Sequence, residues 1–168
     1  MQTTKSQADQ TADRSAALFE QGFCCSESVL QALAESQGVQ SNLIPRIATG
    51  LCGGISRTGG ICGAVSGGVL AISIATGRSS PKDSRDENHR LVTTFLNQCT
   101  ASFGSTNCQQ LMGCRLNTPE GQKFFKEHNL RAKCAGFTRE AARMAARLLE
   151  ESSPSARPAS DLDSCTNR

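Results

Sequence analysis

No part of this chain constrains it more than Gly50-Leu51-Cys52-Gly53-Gly54-Ile55-Ser56-Arg57-Thr58-Gly59-Gly60-Ile61-Cys62-Gly63-Ala64-Val65-Ser66-Gly67. Its glycines allow a loop whose backbone lies close to whatever stands beside it. The loop delivers Cys62 to the start of a helix of small residues. Unpaired N–H groups at a helix start carry partial positive charge, which favours thiolate over thiol. The stretch therefore points to thiolate chemistry, at a metal or at a disulfide. A phosphate cradle fits less well, because no Lys-Ser/Thr ending follows the glycines and no strand precedes them.

A length of 168 residues predicts one domain with a core that needs no staples. Aromatic residues make up only 4%, with no Trp and no Tyr, so Ala, Leu, Ile, Val and a few Phe must build that core. Such a composition suits tightly packed helices. A net charge of +3 is too small to argue for nucleic acid or an anionic membrane. The basic residues are not interleaved with aromatics for stacking on bases either. Met1 to Arg14 is polar and shows no secretory pattern. Ala64 to Ala75, the most apolar run, is too short to span a bilayer. The expectation is a soluble, cytoplasmic protein. In a reducing cytosol nine cysteines read as metal ligands, redox groups or small core residues rather than structural disulfides.

Apolar periodicity predicts an all-α fold, a compact multi-helix bundle with the Gly-rich loop before a central small-residue helix. The expected helices are Asp9–Glu20 with Asp9 as N-cap, one capped by Ser26 and running to Gly38, a short one over Leu43–Leu51, then Cys62–Thr76 and Glu87–Phe103. A short turn of helix starts at Cys108, and Thr118 with Pro119 opens Glu120–His128. Ala132–Glu150 comes last, interrupted early at Cys134-Ala135-Gly136. The organisation predicted is a disordered 1–8, a single helical cysteine-rich redox domain over 9–150, and a disordered tail over 151–168. Gly63 and Gly67 lie four apart, which suits close helix packing and leaves room for a homodimer across that face.

No Cys-x-x-Cys occurs, which argues against zinc-finger and thioredoxin-type sites. Four cysteines nevertheless share a context. Cys25, Cys62 and Cys108 each stand at an expected helix start after a glycine-containing lead-in, and Cys134 stands beside Arg131 and Lys133. Positive potential from helix starts and basic side chains is what a group of thiolates needs. The plain alternative is four buried small hydrophobes, but such cysteines usually lie mid-helix among aliphatics. Cys99 fits that plain description, and Cys165 stands in the tail. Cys24, Cys52 and Cys114 remain open between the two. His89 and His128 sit on polar helix faces and read as surface residues. No catalytic acid–base pair is discernible.

Gly22-Phe23-Cys24-Cys25-Ser26-Glu27-Ser28-Val29-Leu30, then Cys62-Gly63-Ala64-Val65-Ser66-Gly67, Asn107-Cys108 and Lys133-Cys134 resemble the C-GCAxxG-C-C family of small helical proteins described as redox-active. The likeness covers roughly Asp9 to Leu149. It places the family's four recurring cysteines on Cys25, Cys62, Cys108 and Cys134, while Cys24, Cys52 and Cys114 depart from its pattern. The family also resembles the cluster-bearing part of split-Soret cytochromes, where cysteines hold an iron–sulfur centre. The haem half of that likeness does not carry over, since no Cys-x-x-Cys-His is present. The resemblance implies an iron–sulfur cluster on the four cysteines, used in electron transfer or redox sensing with an oxidoreductase partner, and Gly60 and Gly63 are expected to bind it through backbone N–H groups donating to its sulfurs. Two other readings stay open. One is a thiol–disulfide protein in which Cys62 is a low-pKa thiolate resolved by Cys25 or Cys108. The other is a protein binding zinc or another thiophilic ion through the same sulfurs.

Overall fold

Ser6 starts the first helix by accepting a hydrogen bond from the Asp9 N–H at 3.1 Å, so α1 spans Gln7–Glu20 and begins before Asp9, the expected cap. The computed structural model describes residues 5–153. The expectations for 1–4 and for 154–168, Cys165 included, lie outside the described residues, while Gln7 and Ala8 open α1 and Glu151 and Ser152 end the last helix. After α1 come α2 (Cys25–Ser36), a 3-10 helix (Arg46–Leu51), α3 (Gly63–Thr76), α4 (Asp86–Phe103), α5 (Cys108–Met112), α6 (Pro119–Glu127) and α7 (Leu130–Ser152). No strand occurs among the described residues, and the all-α expectation holds. None of these helices is long and apolar enough to cross a membrane.

The helix ends follow local chemistry. Asn107 caps α5 by accepting from the Gln110 N–H, and Thr118 caps α6 by accepting from the Gly121 N–H, with Pro119 in the first turn. Gly104, at φ 86°, closes α4 in the left-handed conformation that glycine adopts readily. Three expectations need correction. Ser26 does not cap α2. Cys24 holds that place, its N–H donating to Glu27 Oε2 at 2.9 Å, and Ser26 is drawn inside, donating to the Ala48 carbonyl at 2.8 Å. The element over Leu43–Leu51 is helical only from Arg46, and as a 3-10 helix. Finally, α7 runs unbroken through Cys134-Ala135-Gly136. A glycine there costs about 1 kcal/mol relative to alanine. Burial of Thr138, Ala141, Ala142, Ala145 and Leu148 along the same helix outweighs that.

α7 lies along α1, α2, α3, α4 and α6, and α3 packs on α2, α4 and α7. The glycines of α3 permit this. A Cβ at Gly67 would stand 2.6 Å from the Ser26 carbonyl oxygen, and one at Gly68 would collide with the Phe95 ring. The small-residue face expected to admit a second copy of the chain is thus occupied by α2 of the same chain.

Ion pairs tie α1 to its neighbours from outside. Asp13 accepts from Lys5 Nζ at 2.6 Å and from Arg139 Nε at 3.1 Å, which holds its carboxyl down at about 2 against an ordinary 3.8. The folded value lies below the unfolded one, so this contribution is complete above the unfolded value and is lost as pH falls through the folded one. Wild-type protein should therefore lose stability between about pH 4 and pH 2 more steeply than Asp13→Asn. Urea midpoints across that range would measure it, and parallel curves would refute it.

Candidate functional site

Cys25, Cys62, Cys108 and Cys134 all line one cavity of about 140 Å³. All four are free thiols. Cys24 lines the cavity too; the remaining wall is largely apolar, with Phe19, Leu111, Met112, Leu116, Phe125 and Phe137, and Arg131 is its one charged group. Each sulfur arrives on a different element. Cys25 opens α2, Cys62 caps α3, Cys108 opens α5, and Cys134 sits near the start of α7. Three helix starts therefore converge as expected, and the fourth thiol comes from within a continuous helix.

Two of these elements are tied together by backbone. Ile61 and Asn107 form an isolated antiparallel bridge. The Cys62 N–H donates to the Thr106 carbonyl and the Cys108 N–H to the Gly60 carbonyl, both at 2.7 Å. Gly54 makes room for this arrangement. Its φ is +70°, and a Cβ there would fall 2.5 Å from Cys108 Cβ and 2.8 Å from the Gly60 nitrogen. Gly63 makes room for a sulfur, since a Cβ on it would lie 2.5 Å from Cys25 Sγ. Gly60 contributes differently from a sulfur donor. Its N–H goes to the Gly54 carbonyl at 2.9 Å. The amides directed at the sulfurs belong instead to Gly53, Ser26 and Ala64 around Cys25, and to Val65 and Ala64 around Cys62.

Electrostatics in the cavity opposes one expectation. Burial, followed by the neighbouring Cys25, pushes the Cys62 thiol up to about 11 despite the amides of Val65 and Ala64. Burial thus works against the low-pKa thiolate expected at Cys62. Desolvation of a charge outweighs the partial charge of a helix start when the sulfur is this deeply enclosed. Burial likewise raises Cys25, lifts Cys108 to about 12 with Cys62 and Cys25 adding to it, and raises Cys134 despite nearby Arg131. Cys134 Sγ contacts Met112 Sδ at 3.4 Å. Arg131 and Lys133 are turned to local work. Arg131 donates to the Phe19 carbonyl and stacks over the Phe19 ring, and Lys133 donates to the Leu111 carbonyl.

Cys24 and Cys52, left open by the sequence, are joined in a disulfide with Cα atoms 6.0 Å apart, inside the range such bonds use. Ser26 Oγ lies 3.4 Å from Cys24 Sγ and 3.1 Å from Cys52 Sγ. Glu27 is alongside, with Oε1 accepting from Thr49 Oγ1 at 2.6 Å. The two sulfurs and a Glu27 oxygen lie within 4.8 Å of one another, so this group could hold a metal ion once the pair is reduced. Directly after Cys52 the backbone turns left-handed from Gly53 to Arg57, with φ of 59°, 49° and 68° at Ile55, Ser56 and Arg57. Non-glycine residues resist that conformation by about 1–2 kcal/mol each. Thr58 Oγ1 to the Gly54 and Ile55 carbonyls and Ser56 Oγ to the Gly50 carbonyl hold the turn.

Cys99 is fully buried on α4 and does not line the cavity, in keeping with a small hydrophobe. Cys114 is half-buried against the core. His128 stacks on Phe124 at the surface, 3.9 Å between ring centroids, and neither histidine lines the cavity.

Residues 23–148 match a family model described as "Putative redox-active protein (C_GCAxxG_C_C)". Neither the curated proteins nor the solved structures contain a match to this chain.

Proposed function

The chain belongs to the C_GCAxxG_C_C family, and on that premise we propose that it is a cytoplasmic redox protein whose Cys25, Cys62, Cys108 and Cys134 hold an iron–sulfur cluster. The observation that carries this reading is the convergence of four free thiols from four separate elements on one apolar cavity.

The donor set suits such a centre. It offers four free thiols beside the disulfide-bonded Cys24, with no carboxylate or imidazole in the wall, and soft thiolates select iron–sulfur clusters or zinc. The cavity, at about 140 Å³, exceeds the roughly 30 Å³ share of a single water.

A bound cluster would supply one-electron transfer. The chain's own part is to hold and insulate it. Burial opposes the thiolate at all four cysteines, so a bound cluster would have to displace their protons. The amides of Gly53, Ala64 and Val65 would soften the negative charge that the sulfurs would then carry. Phe19, Phe125 and Phe137 limit water. The electrons would pass to and from an oxidoreductase partner.

Iron, acid-labile sulfide and zinc content, with a visible spectrum, on protein purified without oxygen tests this directly. Iron with matching sulfide is expected. A colourless protein carrying zinc, or no metal at all, would overturn it.

A further inference from the structure

The Cys24–Cys52 disulfide forms part of the wall of a second, open pocket of about 590 Å³. Arg57, Lys126 and Arg131 bring positive charge to that pocket and no acidic residue lines it; the Glu27 carboxylate, within 4.8 Å of both sulfurs, stands beside the disulfide. Among the described residues neither Arg57 nor Lys126 forms an ion pair. Leu116 and Phe125 supply an apolar side.

We propose that Cys24 and Cys52 are a redox couple which exchanges with a small thiol bearing carboxylates, bound in this pocket. Cys24 also lines the four-thiol cavity beside Cys25, whereas Cys52 lines only the open pocket; the exchange concerns the Cys24–Cys52 bond and does not depend on what that cavity holds.

Three observations carry it. One pocket is lined both by an S–S bond and by cationic side chains that form no ion pair among the described residues, so a ligand could set its carboxylates on the cations while its sulfur meets the disulfide. Its volume lies within the range of small-molecule sites, which suits a small thiol. Both redox states are also accommodated. Ser26 Oγ donates its proton to the Ala48 carbonyl at 2.8 Å, so the oxygen faces the nearby sulfurs as an acceptor. After reduction the thiols find that acceptor already in place.

The chemistry balances without another reagent. A thiolate RS⁻ attacks one sulfur of the pair. The Cys24–Cys52 bond breaks, a mixed disulfide forms, and the other cysteine leaves as thiolate. A second RS⁻ attacks the R sulfur of the mixed disulfide, which releases RSSR and the remaining cysteine thiolate. Two thiols are oxidised to one disulfide, the pair gains two electrons, and the two protons lost by the thiols end on Cys24 and Cys52. The reverse direction reduces RSSR.

The test is the rate at which the pair is reduced in the full chain, followed by acid quench, alkylation and peptide mass spectrometry. The probes are mercaptosuccinate, 2-mercaptoethanol and cysteamine, which are anionic, neutral and cationic, with rates expressed per thiolate. Mercaptosuccinate should outrun cysteamine on the order of tenfold at low salt, and the gap should shrink as salt rises. It should close towards parity in the Arg57→Gln/Lys126→Gln variant, whose circular dichroism should match wild type. In Cys24→Ser, the disulfide of mercaptosuccinate should leave an adduct on Cys52. Equal rates for the three probes, a preference that survives the double variant, no adduct on Cys52, or reduction only by a protein dithiol would each overturn the proposal.

Discussion

Cutting Phe95 back to alanine is expected to destabilise the fold by about 3–5 kcal/mol, the range for deleting a large buried aromatic. Phe95 is fully enclosed, and its ring lies against Gly68 of α3. Glycine has no side chain to move into the space, and the helices around it present mainly small residues, so collapse into the cavity would be incomplete. Native domains are stable by only about 5–15 kcal/mol, so a large share of the total is at stake. Urea unfolding followed by circular dichroism would measure the loss. Phe95→Leu should recover much of it. A loss below about 1 kcal/mol for the alanine variant would mean that the ring does not wedge α4 against α3.

The second large effect concerns the four-thiol cavity and rests on the cluster reading. Cys108→Ser should lower iron per chain about tenfold or more, since removing a ligand is at least as damaging as removing a group that supports one. Cys99→Ala is the informative comparison. It alters an equally buried thiol that does not line the cavity, and its iron content should stay near wild type. Urea midpoints for both variants separate loss of metal from loss of fold. Equal iron in wild type and Cys108→Ser would remove Cys108 from the ligand set.

Much of the architecture was legible because its signals are local. Thr118-Pro119 announces α6, and the small-residue run after Cys62 announces α3. The convergence of Cys25, Cys62, Cys108 and Cys134 could be anticipated from their helix-start contexts and from the family pattern. What escaped depended on distance or depth. Cys24 and Cys52 are 28 residues apart with no motif between them, so their pairing exists only once α2 and the 3-10 helix meet. Ser26 looks like any N-cap serine until Glu27 takes the Cys24 N–H and moves the helix start back. At Cys62 a helix start is visible in the sequence, while the desolvation that opposes a thiolate there is not. The run Cys134-Ala135-Gly136 looks like a break, yet the buried residues beyond it keep α7 continuous.

The short bridge between Ile61 and Asn107 has a thermodynamic consequence for anything that binds between the thiols. Its two peptide hydrogen bonds flank Cys62 on one segment and Cys108 on the other, and the intervening chain includes all of α3 and α4. Closing so long a loop lowers chain entropy, by an amount that grows only slowly with length. Here the closure belongs to folding rather than to association. A ligand meets two sulfurs whose relative placement is already set by the main chain, so its affinity escapes most of the ordering penalty that a floppy site would impose.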